Sequence, residues 1–479
     1  MTVLRPASVT PARPDELTTP AVVVLLAGGS LANFVFGSST VALPMIARGT
    51  GATPDAAGLV IALFSVGFAA VLVLSGRLGD RFGRRRVFAA GLAALTLTSL
   101  AVALSPSLWV LLVMRTLQGV AAGVMLPQVL STIQATTTGE RRGRLSAGYV
   151  TALAVGATLG QLLGGALSST TASGWRWALA STAVFAALAL VGVRLVPDTR
   201  TTGAHGGIDA PGAALFATFV TALLVPTAMV RTVGWRWWVV ALLVVAAVAV
   251  ATFAWWERRL PTDHALAPPA ILRQPVMLAG LGMTGLFFSG YGAFVSIFGL
   301  MTQDGLGMSP VGSGLAFLPF ALGFLAASVL GPRLAGRVAP ALVMRAGALA
   351  QALCLVGVAV VMLTEWPHPQ MWVLQPVLVL LGAAQGIMFP PIVGIVMAAV
   401  PREVVGLASG LLTTAQQLFT AVGVAAFGLL YASLSATSVG TAFAACVLVQ
   451  MVLALLFAGG AGRAAGVPGP AVAVAVSYD

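Results

Sequence analysis

The chain is predicted to be an all-α integral membrane protein with 14 transmembrane helices, built as two six-helix repeats plus a two-helix central insert. Three observations carry this expectation: an apolar composition, a succession of apolar runs of spanning length, and an internal repeat. Of 479 residues, 59% are hydrophobic and 8% are charged, and the mean hydropathy is +1.00. A soluble domain carries about 25% charged residues, so this composition leaves too little polar surface to cover a water-soluble fold. In a bilayer the apolar side chains face lipid, and each helix satisfies its own backbone hydrogen bonds.

A spanning helix needs roughly 20 mostly apolar residues. The first six runs of that kind lie at 20–46, 57–76, 87–104, 107–133, 146–169 and 177–196. Two more follow at 211–230 and 237–256. The last six lie at 276–301, 311–332, 342–363, 372–399, 405–432 and 438–459. The expected organisation is a cytoplasmic tail over 1–19, an amino-terminal six-helix bundle over 20–196 and a linker with two extra helices over 197–275. A carboxy-terminal six-helix bundle over 276–459 and a second cytoplasmic tail over 460–479 complete it. The first tail lacks an apolar signal core with a cleavage site. The second is rich in Ala, Gly, Val and Pro and is expected to be disordered.

The net charge of +12 comes from 25 Arg and no Lys. If the amino terminus is cytoplasmic, twenty Arg fall on inside segments and four, Arg48, Arg176, Arg231 and Arg236, fall outside. That bias follows the positive-inside rule and places both termini in the cytoplasm of a multi-pass plasma (inner) membrane protein. It also accounts for the charge without a nucleic-acid partner. The remaining residue, Arg115, lies inside the fourth run.

The repeat appears when the sequence is shifted by 256: Gly58, Phe64, Gly67, Phe68, Arg77 and Arg81 meet Gly314, Phe320, Gly323, Phe324, Arg333 and Arg337. Further on the shift becomes 263, so that Trp109, Gly119, Gly123, Met125 and Pro127 meet Trp372, Gly382, Gly386, Met388 and Pro390. Matched Trp, Pro and Arg at constant register go beyond a shared apolar composition. Two parallel repeats of this kind are a transporter architecture, with the substrate site between the halves near the midplane.

Five stretches carry a family resemblance. The turn after the second run reads Gly76-Arg77-Leu78-Gly79-Asp80-Arg81-Phe82-Gly83-Arg84-Arg85-Arg86. The fourth run carries Arg115-Thr116-Leu117-Gln118-Gly119, and a buried Arg in a span is costly and usually functional. The fifth carries Gly156, Gly160, Gln161, Gly164 and Gly165, small residues four apart that permit close helix packing. Asp209-Ala-Pro-Gly212 opens the seventh run, and Trp255-Trp256-Glu257-Arg258-Arg259 closes the eighth. Together these resemble the major facilitator superfamily, and within it the fourteen-helix drug:proton antiporter branch.

The resemblance implies the major facilitator fold and a set of roles. Gly76, Asp80, Arg81, Gly83, Arg84 and Arg85 would form a gating loop that latches the cytoplasmic side. Gly336 stands where the second copy would need the Asp, so the latch is complete only in the first half. Arg115 and Asp80 would take part in coupling, and the fifth-run glycines would form the antiporter motif that marks export. Gln161 stands where that motif normally has Pro.

One departure bears on substrate. The branch usually has an acid about nine residues before Ala42-Leu43-Pro44, where this chain has Asn33 and Val35. All 13 acidic residues fall in predicted loops, termini or helix ends. A permanent dication in a low-dielectric cavity wants a counter-charge, so the expected substrate is neutral, zwitterionic or anionic, with Arg115 as the only fixed charge of the cavity. Candidate cavity residues are Asn33, Phe36, Gln118, Gln161, Phe287, Phe288, Tyr291, Gln416 and Gln417.

No intramembrane Ser/His pair, paired carboxylate or metal cluster supports an enzyme, no cofactor or metal is implied, and no nucleotide-binding loop is present. The expected function is secondary active export of small amphipathic molecules, antibiotics or metabolites, coupled to protons by alternating access in a monomer. The alternative is an importer or facilitator of a neutral or anionic small metabolite.

Overall fold

The computed structural model describes residues 17–171, 173–199, 209–261, 265–267, 272, 274–308, 310–335, 338–398, 405–435 and 437–465. Most of the amino-terminal tail and the end of the carboxy-terminal tail, together with Gly336, lie outside the described residues. All regular structure among them is helical. The amino-terminal helices are α1 (Thr19–Thr50), α2 (Pro54–Phe82), α3 (Arg84–Ala103), α4 (Leu108–Thr136), α5 (Gly139–Ser168) and α6 (Gly174–Gly192). The insert is α7 (Ala210–Val233) and α8 (Trp237–Glu257). Then come α9 (Pro275–Leu300), α10 (Pro310–Ala335), α11 (Pro340–Thr364), α12 (Met371–Ala398), α13 (Val405–Ser435) and α14 (Val439–Ala465). All 14 are long and apolar enough to cross a membrane.

Local chemistry sets the helix ends. Thr18, Thr53 and Ser107 accept hydrogen bonds from the backbone N–H groups of Ala21, Ala56 and Val110, which would otherwise be orphaned in the first turn. Proline occupies the first turn of α1, α2, α7, α9 and α11, where its missing N–H costs nothing. Several helices outrun their apolar segments. α5 begins at Gly139 rather than near 146, because a polar turn carrying the exposed Glu140–Arg144 pair (3.9 Å) continues the helix beyond the hydrocarbon.

The two sets of six helices pack in the same pattern. α1 lies on α5 and α6, α2 on α4, and α3 on α4 and α6. Correspondingly, α9 lies on α13 and α14, α10 on α12, and α11 on α12 and α14. The repeat extends to single atoms. A methyl group at Gly119 would stand 2.1 Å from the Phe64 carbonyl oxygen, and one at the matching Gly382 would stand 2.0 Å from that of Phe320. α7 and α8 form a hairpin, and α7 also packs against both α2 and α13.

Among the described residues the buried apolar side chains form three clusters. One is shared by both halves at the end that carries the α2–α3 turn, and it includes Leu25, Phe68, Leu72, Val129, Val393 and Leu412. At the opposite end each half has its own: Ile46, Val60, Leu111 and Trp175 in one, Phe294, Leu355, Leu378 and Phe443 in the other. The halves are thus sealed together at the Arg-rich end and independently packed at the other. Gly410 of α13 lies against α2 at the seal, where a methyl group would be 2.8 Å from the Leu72 carbonyl oxygen.

Candidate functional site

The α2–α3 turn closes on Gly83, whose φ of 97° is accessible to glycine and strained for other residues. Across it the Arg84 Nη2 donates to Asp80 Oδ1 at 2.8 Å, with both side chains buried. Charge-assisted bonds of this kind are short and strong, and burial protects this one from screening. Gly76 is buried, Arg81 lies over the Phe82 ring at 5.5 Å, and Arg85 is half-buried. The turn is anchored from outside itself as well. The Arg84 backbone N–H donates to the Thr199 carbonyl (3.1 Å), and Arg77 Nη2 donates to the Ala265 carbonyl. Gln128 of α4 donates to the Ser75 carbonyl (2.8 Å), and its side-chain oxygen fills the space beside Gly79. Under the same offset Gln128 meets Pro391, so the repeat carries no signal for Gln128.

Arg115 has no exposed surface. Its Nε donates to the Val60 carbonyl on α2 at 2.9 Å, and its Nη1 donates to Gln118 Oε1 at 2.6 Å. Gln118 in turn donates to Ser99 Oγ on α3 at 2.7 Å. The guanidinium carbon lies 4.8 Å from the Phe64 ring centroid, in reach of a cation–π interaction. Nη2 is buried with no hydrogen-bond partner among the described residues. This placement revises two sequence expectations. Arg115 and Gln118 do not line a cavity between the halves, because α2, α3 and α4 enclose them within the amino-terminal half. The sequence pattern identified Arg115 and Gln118 but not Ser99, Val60 and Phe64, which come from other helices.

The fifth-helix glycines make the seam with α1. Methyl groups at Gly156, Gly160 and Gly164 would stand 2.2 Å from the Ser30 carbonyl, 2.3 Å from the Phe34 carbonyl and 2.6 Å from Ser38 Cα. Gly165 faces Val41, and Gly37 of α1 returns the contact against Ala157 and the backbone of Gln161. Asn33 belongs to this seam, because its amide donates to the Leu153 carbonyl at 3.1 Å. Phe36 is 44% exposed and Gln161 is half-buried.

In the other half the predicted aromatic group is assembled and larger than expected. Phe287 stacks on Tyr291 (6.2 Å) and on Phe389 of α12 (5.7 Å). Phe288 meets Phe389 edge-on at 5.1 Å, and Tyr291 reaches Phe324 of α10 at 5.8 Å. Offset and edge-to-face pairs like these add to simple area burial. Gln416 is buried and Gln417 half-buried on α13. The structure therefore gathers Phe287, Phe288 and Tyr291 in one place, and keeps Asn33 and Gln161 on the α1–α5 seam. No group of three metal-ligating side chains occurs among the described residues.

Comparisons with known proteins agree with this architecture. The family model described as Major Facilitator Superfamily matches residues 25–209 and 206–424. The chain is 34% identical over 423 residues to the puromycin resistance protein pur8 of Streptomyces alboniger, covering 86% of this chain and 81% of that protein. It is 30% identical over 451 residues to the cephamycin export protein CmcT of Amycolatopsis lactamdurans, covering 89% and 87%. Among solved structures, the human organic anion transporter MFSD10 superposes with a TM-score of 0.66 at 18% identity, over 94% of this chain and 100% of that one. With the repeated helix packing, the buried Asp80–Arg84 turn and the buried Arg115 already in place, these matches make the chain a membrane transporter of the major facilitator superfamily.

Proposed function

We propose that the protein exports small amphipathic molecules, antibiotics or self-made metabolites, by proton-coupled alternating access. The carrying observation is the distribution of the buried core: one seal shared by both halves at the Arg-rich end, separate cores at the other. The positive-inside rule assigns the Arg-rich end to the cytoplasm. On that assignment the conformation is closed inward, and rocking of the halves exposes the pathway alternately to each side. Relatives named for puromycin resistance and cephamycin export support antibiotic-like cargo. Both halves sit in one chain, which supports a monomer as the working unit.

Arg115 is the proposed coupling element and Asp80 the latch acid. Among the described residues the acids stay at helix ends and loops, which favours neutral, zwitterionic or anionic cargo and leaves uncoupled facilitated transport of such a metabolite as the second reading. Reconstitution into liposomes with an imposed pH gradient and labelled puromycin, a cephamycin and a divalent quaternary ammonium compound separates these readings. Gradient-driven accumulation of the first two, without the dication, is expected. Equilibration independent of the gradient would favour the facilitator, and efficient movement of the dication would refute the assigned cargo class.

A further inference from the structure

Two motifs in the insert, Asp209-Ala-Pro-Gly212 and Trp255–Arg259, have no part in the transport scheme above. The structure brings them together. Asp209 and Glu257 are 7% and 2% exposed, at the adjacent ends of α7 and α8. Asp209 Oδ1 accepts the backbone N–H of Gly212 (2.9 Å) and the indole N–H of Trp256 (3.0 Å). Glu257 uses both oxygens on the chain beyond α8: Oε1 accepts from Leu266 N–H (3.1 Å) and Oε2 from Ala267 N–H (2.9 Å). Gly212 explains the spacing of the first motif. A methyl group there would stand 1.8 Å from Asp209 Oδ2 and 3.1 Å from Glu257 Oε1.

The segment that Glu257 holds reaches the latch. Ala265, next to the two clamped residues, offers its carbonyl to Arg77 of the gating turn. Leu266 and Ala267 are buried in the core that seals both halves at the Arg-rich end. α7 lies across the same seam, against α2 of one half and α13 of the other. Glu257 is also within electrostatic reach of Arg77 and Asp209.

We infer that Glu257 is a positioning residue for the transport cycle, clamping residues 265–267 so that the insert braces the gating turn and α7 across the sealed end. The inference rests on the alternating-access reading. The clamp belongs to the closed arrangement, because the segment it fixes is packed into the shared core. Opening the Arg-rich end separates α2 from α13, and α7 cannot keep both neighbours. Removing the clamp therefore loosens the closed state in preference to the open one.

The test uses the full chain in liposomes, with Cys354 and Cys446 replaced by alanine and spin labels at Leu195→Cys and Leu342→Cys. These positions are 54% and 58% exposed at the Arg-rich ends of the two halves. Distance distributions in the parent protein should contain a short, closed population and a long, open one. Glu257→Ala should raise the long population about fivefold relative to the short, within the usual range of conformational coupling. Glu257→Gln keeps the volume and one acceptor oxygen, and should give a smaller rise in the same direction. If Glu257→Ala does not fold, Glu257→Gln decides the question. A role limited to holding the insert together would lower yield without moving the populations of the folded fraction. Unchanged populations overturn the brace alone. A single distance in the parent under all conditions overturns alternating access, and the brace with it.

Discussion

At the level of Arg115 the two halves are built from matching helices and filled with opposite chemistry. The amino-terminal half places Arg115, Gln118 and Ser99 in a bonded chain beside Phe64 and the Val60 carbonyl. Under the repeat offsets the matching positions are Leu378, Leu381, Leu355, Phe320 and Ala316, all buried in one apolar cluster. Three polar side chains on one side correspond to three leucines on the other. The close glycine contacts are meanwhile conserved between the halves to within a tenth of an ångström at Gly119 and Gly382. The repeat thus specifies backbone packing, while the charge belongs to one copy. A leucine core would suit either half, so the buried guanidinium is retained at a cost that packing alone does not explain.

Five substitutions probe this contrast. Leu378→Arg moves the charge into the half that lacks its partners. An arginine costs at most about 2.5–3.5 kcal/mol in insertion, the value for the centre of a span, and Leu378 is buried two turns inside α12, so folded yield and thermal stability in detergent should fall. Gly119→Val and Gly382→Val drive a side chain into the Phe64 and Phe320 carbonyls. Each should cost about 1–3 kcal/mol, and the two thermal unfolding shifts should match because the contact is the same. Gln118→Leu copies the other half and removes a charge-assisted bond. A loss of about 1.5–3 kcal/mol is expected, with slower gradient-driven transport. Ser99→Ala removes the last link and should cost about 1 kcal/mol, with transport close to the parent value. Unequal glycine effects, or a tolerated Leu378→Arg, would break the comparison.

The fold was legible because composition and run length leave few alternatives, and because Trp, Pro and Arg keep register across the repeat. Helix ends were less legible: the polar start of α5 carries no hydropathy signal although it is helical. Within the candidate site, Arg115 and Asp80 stood out as charges in unusual places. Their partners did not. Ser99, Gln128 and Phe389 are ordinary residues on other helices, and only tertiary packing makes them partners. Arg115 and Gln118 were expected at a cavity because polar groups in a span usually face one. Here Ser99 and the Val60 carbonyl hold them inside a single bundle.

The central claim is that the one-sided Arg115 network couples transport to the proton gradient. Arg115→Leu reproduces the leucine of the matching position and leaves Gln118 bonded to Ser99, so the fold should survive. In liposomes with an imposed pH gradient and labelled substrate, the account predicts that exchange of substrate across the membrane persists while gradient-driven accumulation is lost. Accumulation equal to that of the parent protein would contradict it.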